Sequence, residues 1–377
     1  MKVRQIYQIV LLSFFIPIAL VATETRVSSL GGTGYFIKDE TNIFVFPATI
    51  NNYPKLFVGE LRSGQSTDFN SFGAHFSTAN GIFAIYLNVP IFLNLPSFKS
   101  IDQVSLNHKL SFLFGTQLDN INYGLRLSIA FDRYNSGGDP EEKESARYFE
   151  LAAGVSGMNA DIGVMIELPG MNWELEGAKE SWGGIAFGIS GRYQYDFTED
   201  LQFIPVGQFY FGPTTSKIDY GVTGVPILET SHRDLRFAVG LGTHYKIDSK
   251  NFFILGTELL GIQQNKSGDE DLENKVTVLT FPAFYAGVEL SLKSWLTARL
   301  GAVQVYQKVT KTQKIGGTSN SQSTFQSGFK TTLGLGIHFG GFRIDLSINE
   351  SLLFDGPNFV SGSSFPIANK ISLVYEM

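Results

Sequence analysis

Residues 184–196 alternate between two kinds of side chain. One face of the extended chain carries the large apolar residues Ile185, Phe187, Ile189, Tyr193 and Tyr195. Small or polar residues occupy the positions between them. Because successive side chains of a β-strand point to opposite faces, this period of two predicts a strand that is apolar on one side only.

The same alternation recurs along most of the chain. Segments with a period of two begin at Ile121, Phe237, Phe284 and Phe342, and several match the roughly 9–11 residues that a tilted strand needs to cross a membrane. Short polar or glycine-containing turns lie near residues 79, 119, 159, 199, 249, 294 and 340. Longer hydrophilic stretches, expected to be loops, cover residues 135–145, 214–233, 264–274, 310–323 and 354–364. Short turns that alternate with long loops are typical of outer-membrane barrels.

Two all-β architectures fit this pattern, a soluble sandwich and a closed membrane barrel. A sandwich would also alternate apolar and polar residues. The charged residues, however, cluster in the loops, and a closed barrel pairs every backbone polar group within lipid. Aromatic residues near the turn ends fit an interfacial girdle: Tyr123, Tyr193, Tyr195, Tyr245, Trp295, Phe339, Phe342 and Tyr375. We therefore predict an all-β fold, a transmembrane antiparallel β-barrel of about 14–16 strands over residues 55–377, in the bacterial outer membrane.

Both ends of the chain favour export. Lys2 and Arg4 precede an apolar run over residues 6–21, which predicts a signal peptide over residues 1–22, with a membrane anchor as the alternative. Residues 370–377 alternate again, and a strand at the end of a chain must pair or leave an open edge. This end resembles the C-terminal signal of bacterial outer-membrane barrels, although those usually finish on Phe and this chain finishes on Met377.

Composition narrows the possible partners. The sequence has no cysteine, which excludes a disulfide framework and a lipoprotein attachment site. The net charge is −6 and no basic stripe is present, so the sequence does not favour a nucleic-acid partner. The expected surroundings of the strands are outer-membrane lipids.

Residues 23–54 do not alternate and contain two short motifs. Ser29-Leu30-Gly31-Gly32-Thr33-Gly34 is followed by Asp39, Asn42, Phe44 and the sequence Phe46-Pro47-Ala48. This pattern resembles the N-terminus of the long-chain fatty-acid transporter (FadL/TodX) family and its PorV-type relatives. The resemblance implies an N-terminal plug, or hatch, inside the barrel, with Gly31, Gly32, Gly34, Asp39, Asn42, Phe46, Pro47 and Ala48 as plug candidates. The family has Asn before Pro-Ala, where this chain has Phe46, so the polar contact of that Asn is absent.

The side chains on the face opposite the apolar one are unusually small. Its small residues are Gly124, Ala130, Gly184, Ala186, Gly188, Gly240, Gly242, Gly334 and Gly336. They would permit close approach of a plug, or they would only ease strand curvature.

Charged residues also fall on this inner face, because charges that face lipid cost about 2–4 kcal/mol for Arg or Lys near the bilayer midplane. The candidates for the lumen are Arg126, Arg147, Glu150, Arg192, His244, Lys246, Glu289, Arg299, Arg343 and Asp345. They would set ion preference, or they would pair with one another and anchor the plug.

No motif for catalysis, a cofactor or a metal is present in the sequence. The five histidines are dispersed, without an H-E-x-x-H pair, and no G-x-S-x-G elbow occurs. The acidic stretch from Asp269 to Glu273 resembles a Ca²⁺ loop only loosely, and we interpret it as a solvated outer loop. We therefore expect a protein that is not an enzyme.

The resemblance implies passive transport of small hydrophobic molecules across the outer membrane past a displaced hatch. Two alternatives remain open at this point. A general polar porin would use the lumen charges for selectivity, and a non-transporting PorV-like scaffold would anchor secreted proteins.

Overall fold

The computed structural model describes residues 24–62, 70–89, 104, 106, 109–268, 272–349 and 367–376. The predicted signal peptide, the stretch 354–364, residues 269–271 and Met377 lie outside the described residues. The β-segments are β1 (Leu56–Arg62), β2 (Ser71–Thr78), β3 (Gly81–Leu87), β4 (Leu110–Leu118), β5 (Ile121–Asn135), β6 (Glu142–Gly157), β7 (Ala160–Leu175), β8 (Ala178–Gly184), β9 (Ala186–Tyr193), β10 (Tyr195–Asp196), β11 (Leu201–Asp219), β12 (Leu228–Lys246), β13 (Phe252–Gly268), β14 (Leu272–Lys293), β15 (Leu296–Ile315), β16 (Thr318–Phe339), β17 (Phe342–Ile348) and β18 (Ala368–Glu376).

The segments form one closed antiparallel sheet. β8, β9 and β10 are successive pieces of a single strand that pairs with β11 along its length, and β8 and β9 also pair with β7. The 18 segments therefore make 16 strands. Closure comes from β1, which pairs with β2 on one side and with β18 on the other, from Leu56 opposite Glu376 to Arg62 opposite Lys370. The predicted antiparallel barrel is confirmed, at the upper end of the expected strand number.

One rim of the barrel carries only short turns. They fall between β2 and β3, β4 and β5, β6 and β7, β10 and β11, β12 and β13, β14 and β15, and β16 and β17, which are the seven predicted positions. In the turn after β12, Asp248 accepts hydrogen bonds from the backbone N–H groups of Lys250 and Asn251, and these bonds lower the pKa of its carboxyl. Local side-chain hydrogen bonds of this kind stabilise tight turns.

The opposite rim differs from the prediction. Three stretches expected as loops, 214–233, 264–274 and 310–323, are largely strand. β11 and β12 pair as far as Ile218 and Leu228, and β15 and β16 pair as far as Ile315 and Thr318. The side chains of these stretches are mainly polar on both faces, so the hydrophobic alternation disappears, while the backbone pairing and cross-strand hydroxyl contacts continue.

The outer face is apolar. On β3, Phe83, Ile85 and Leu87 are 46%, 42% and 49% exposed, whereas Ala84 and Tyr86 between them are buried. The aromatic residues predicted as a girdle lie beside the short turns, and all but the partly buried Tyr375 are exposed. Tyr375 stacks on Phe342 with 4.4 Å between ring centroids.

The N-terminal segment, residues 24–55, lies inside the ring of strands. It consists of α1 (Glu24–Ser29) and three 3₁₀ turns at Gly34–Phe36, Glu40–Phe44 and Pro47–Asn52. Gly31 and Gly32, with φ of +74° and +75°, end α1. Leu30, Ile43, Phe46, Ala48 and Ile50 are fully buried. In the described part of the chain, no helix is long and apolar enough to span a membrane.

Candidate functional site: the lumen around the N-terminal segment

A row of four glycines lines one side of the lumen. Gly115, Gly124, Gly154 and Gly163 lie directly opposite one another on β4, β5, β6 and β7. A Cβ atom at Gly163 would lie 1.9 Å from the carbonyl oxygen of Val45, and one at Gly124 would lie 2.2 Å from the carbonyl carbon of Pro47. The absence of side chains therefore allows backbone of the N-terminal segment to contact backbone of the wall.

Further glycines hold the segment on the other side. Phe36 packs on Gly242 and Gly256, and Leu30 packs on Gly287 and Gly301. Of the small residues predicted on the inner face, Gly124, Gly242 and Gly334 contact the N-terminal segment. Another group, Gly184, Gly188, Gly240 and Gly336, contacts atoms of the wall itself, and Ala130 and Ala186 are buried. Close approach of the segment therefore occurs at the first three positions, and the proposal that the others ease strand curvature stays a prediction.

Charged side chains connect the segment to the wall. Glu289 on β14 accepts hydrogen bonds from Arg26 of α1 at 2.8 Å and from Arg299 on β15 at 2.5 Å. Arg299 also binds Asp345 on β17 at 2.6 Å, and Asp345 accepts from Arg343 at 2.9 Å. At the ends of this chain, Arg26 binds Asp39 and Arg343 binds Glu40. Since Asp39 and Glu40 are consecutive, the chain of ion pairs closes on itself.

Two more wall arginines bind carbonyl groups of the segment. Arg126 pairs with Glu150 and donates to the carbonyl of Phe44. Arg192 pairs with Asp161 at 2.7 Å and donates to the carbonyl of Ile37 at 2.6 Å. Hydrogen bonds from charged donors are roughly twice as strong as neutral ones. These two arginines therefore add strong contacts between the wall and the segment.

Phe46 has a partner that its position in the motif does not predict. It is fully buried, and the guanidinium of Arg192 lies 4.9 Å from its ring centroid. Tyr35 packs edge-on at 6.3 Å. Where the family has a polar Asn, this chain has a cation–π contact.

Substituting Phe46 tests the contribution of this contact. We expect Phe46→Asn to destabilise the packed segment by about 3–5 kcal/mol, through lost burial, and Phe46→Leu by about 0.5–2 kcal/mol, through lost cation–π attraction. Hydrogen exchange of residues 35–50 in micelles measures the effect. Phe339→Asn, at an exposed rim position, is the control, and equal protection in all three variants would contradict the expectation.

The remaining predicted residues are placed as follows. Asn42 accepts from the Asp39 N–H at 3.0 Å and donates to the Gly34 carbonyl at 3.0 Å. The Gly31 N–H donates to the Thr332 hydroxyl at 3.1 Å, whereas Gly32 is exposed. His244 packs edge-on against Phe252, with 4.8 Å between ring centroids.

Two predicted lumen residues do not line the lumen. Arg147 is exposed, on the same face of β6 as Phe149, whereas Tyr148 and Glu150 are buried. The prediction that Arg147 and Glu150 both point inward was wrong, because residues three apart in a regular strand face opposite sides. Lys246 is exposed at the short-turn rim and lies 3.5 Å from the Glu199 carbonyl.

Several buried polar residues were missed from the sequence. The Tyr148 hydroxyl lies 2.7 Å from a carboxylate oxygen of Glu150 and 2.5 Å from one of Glu167, so its one proton is shared between them, and Tyr210 donates to Glu167 at 2.9 Å. The alternation along β7 could have predicted that Asp161 and Glu167 face inward, since the apolar residues Ile162, Val164 and Ile166 face outward. The role of Arg26 had no such signal because α1 does not alternate.

The polar end of the lumen is at the short-turn rim. A cavity of about 220 Å³ lies there, between the segment and the turn after β6, lined by Lys38, Asn42, Asn52, Asn122, Asn159 and Gln194 among others. Among the described residues, no group of three or more His, Asp or Glu side chains could hold a metal ion.

A closed antiparallel barrel with an apolar outer face and an aromatic rim is the architecture of outer-membrane β-barrel proteins. No family model matches this chain, and no curated protein matches it. Among solved structures, the toluene transporter TodX of P. putida is similar, with 10% identity, a TM-score of 0.37, and coverage of 93% of this chain and 97% of TodX.

Two other solved structures are also similar to this chain. The ferric yersiniabactin uptake receptor FyuA of Yersinia pestis has 11% identity and a TM-score of 0.40, over 86% of this chain and 52% of FyuA. The translocator domain of the autotransporter NalP from Neisseria meningitidis has 11% identity and a TM-score of 0.29, over 69% of this chain and 90% of that domain. TodX belongs to the family that residues 29–48 resemble, but likenesses of this size describe the fold and carry no argument about substrates.

Proposed function

We propose that this protein is an outer-membrane transporter for small hydrophobic molecules, in which residues 24–55 form a hatch that closes the lumen. The observation that carries the proposal is that the wall arginines have carboxylate partners that do not belong to the hatch, although Arg343 also binds Glu40 of the hatch. Arg126, Arg192, Arg299 and Arg343 each have a carboxylate partner on the wall itself, and Arg26 and Asp39 pair within the segment.

This arrangement supports a hatch that can leave its place. Breaking a buried ion pair by removing one partner costs about 3–5 kcal/mol, because a charge is left uncompensated. When the segment moves, each of these wall arginines keeps a carboxylate, so that cost is largely avoided. The same pairing argues against a polar porin, since these charges are already neutralised.

A cluster of apolar side chains supports the proposal that the substrate is hydrophobic. Tyr148, Met171 and Trp182 are buried together with Ala130, Ala146, Val104 and Leu106, and Tyr134 and Trp173 pack against them. Ligand sites are lined mainly by hydrophobic and aromatic side chains with a few placed polar groups. Here the polar groups are the Tyr148 hydroxyl and the two glutamates that it binds.

Tryptophan fluorescence tests this proposal. The chain has three tryptophans, and Trp295 lies exposed at the short-turn rim. In a Trp295→Phe variant, all emission comes from Trp173 and Trp182 at the apolar cluster. We expect a brominated fatty acid to quench this emission saturably.

The matched control is Trp173→Phe with Trp182→Phe, which leaves only Trp295 and should show no saturable quenching. Liposome swelling assays complete the test. Swelling with sugars would support a porin and contradict the proposal. Quenching that never saturates would also contradict the proposal, because it would show no bound fatty acid at the cluster.

A further inference from the structure

The outer face of β11–β14 changes from apolar to cationic towards the long-hairpin rim. Phe209, Phe237, Ile262 and Leu279 lie side by side in one cross-strand row. Two residues farther along each strand, Leu235, Gln264 and Thr277 form a mixed row. After two more residues, Arg233, Lys266 and Lys275 form the third row, which we call the cationic row.

The cationic row brings like charges together. Lys266 lies directly opposite Arg233 on one side and Lys275 on the other. Such pairs have Cβ atoms about 4.5–5.5 Å apart, and like charges at this spacing are destabilising unless an anion offsets them. Within the described parts of this row and the next, the one carboxylate is Glu273, which binds Lys266 at 2.7 Å and lies opposite Lys314. The described side chains therefore leave a positive excess.

The level of the cationic row relative to the apolar face is also informative. Phe237 and Arg233 are four positions apart on β12, which is about 13 Å along a strand. The Arg233 guanidinium lies 5.7 Å from the centroid of Phe211, so its charge sits at the edge of the aromatic surface. Long basic side chains take this position where an apolar phase meets a polar one.

We propose that Arg233, Lys266 and Lys275 bind the phosphate groups of a lipid headgroup in the outer leaflet. The acyl chains of that lipid lie on the row formed by Phe237, Ile262 and Leu279. Cations beside an apolar row favour a phospholipid or phosphorylated glycolipid over free phosphate, because a soluble anion gains nothing from the apolar row. This site faces away from the lumen and does not depend on transport.

Native mass spectrometry of the full-length protein with diphosphorylated lipid A tests the proposal. We expect wild type to retain it more tightly than the monophosphorylated form. The variant Arg233→Gln, Lys266→Gln, Lys275→Gln should lose at least about tenfold in affinity, because it removes all three charged donors to the phosphate groups.

The matched control is Lys143→Gln, Lys179→Gln, Lys217→Gln, which removes the same charge from exposed positions that are each paired with one glutamate. Equal losses in both variants would show general electrostatic attraction and overturn the site. Competition by equimolar inorganic phosphate would indicate a free-phosphate site. Absence of binding to wild type would overturn the proposal.

Discussion

Deleting residues 24–50 should raise the single-channel conductance of this protein in planar lipid bilayers from near closure to that of a wide pore. Barrels of 16–18 strands leave an aqueous channel unless something fills them, and here the N-terminal segment contacts wall glycines on β4, β5, β6, β7 and β12–β16. Removing the segment leaves the wall arginines paired with wall carboxylates. The barrel should therefore still fold.

Circular dichroism in the β-sheet region provides the control for folding of the deletion variant. A folded deletion variant with unchanged conductance would show that something other than residues 24–50 closes the lumen. That result would remove the hatch from the proposed function.

Gly163→Leu should displace the segment without deleting it. The new side chain would overlap the Val45 carbonyl, a backbone atom that cannot rotate away. Overpacking of this kind costs about 1–3 kcal/mol, which raises the population of the displaced segment roughly 5- to 150-fold. Protease cleavage within residues 24–50 and bilayer conductance should both increase.

Gly207→Leu is the matched control, because a Cβ at this glycine of β11 meets no atom within 4 Å. Both variants replace a strand glycine by the same side chain, so general effects on strand formation should be shared. Equal cleavage rates in the two variants would show that the glycine row does not position the segment.

Alternation predicted the inner face well where a strand is regular. Arg126 and Glu150 lie on adjacent strands at inward positions, and the structure pairs them. The prediction for Arg147 failed because this residue was assigned to the inner face by its charge, although the alternation along its own strand places it on the outer face. The hairpin ends beyond the apolar face also escaped prediction, since their strands are held by backbone pairing while both faces are polar.

The packing around the N-terminal segment could not be predicted in the same way. Arg26 and Glu289 are 263 residues apart in the chain, and no periodicity relates a short helix to a distant strand. Gly115, Gly154 and Gly163 were overlooked because a strand glycine alone does not tell whether another backbone approaches it. Phe46 was interpreted as a lost polar contact, and its ring instead meets Arg192.

The sequence by itself determined the strand ring, the seven short turns and the apolar outer face. These follow from local rules, because side-chain direction alternates along a strand and turns need particular residues. Only the tertiary structure decided what fills the ring, which carboxylate each arginine binds, and that basic residues of three hairpin strands lie in one row. Those features depend on the register between strands and on the path of residues 24–55, and both are set by contacts between residues far apart in the chain.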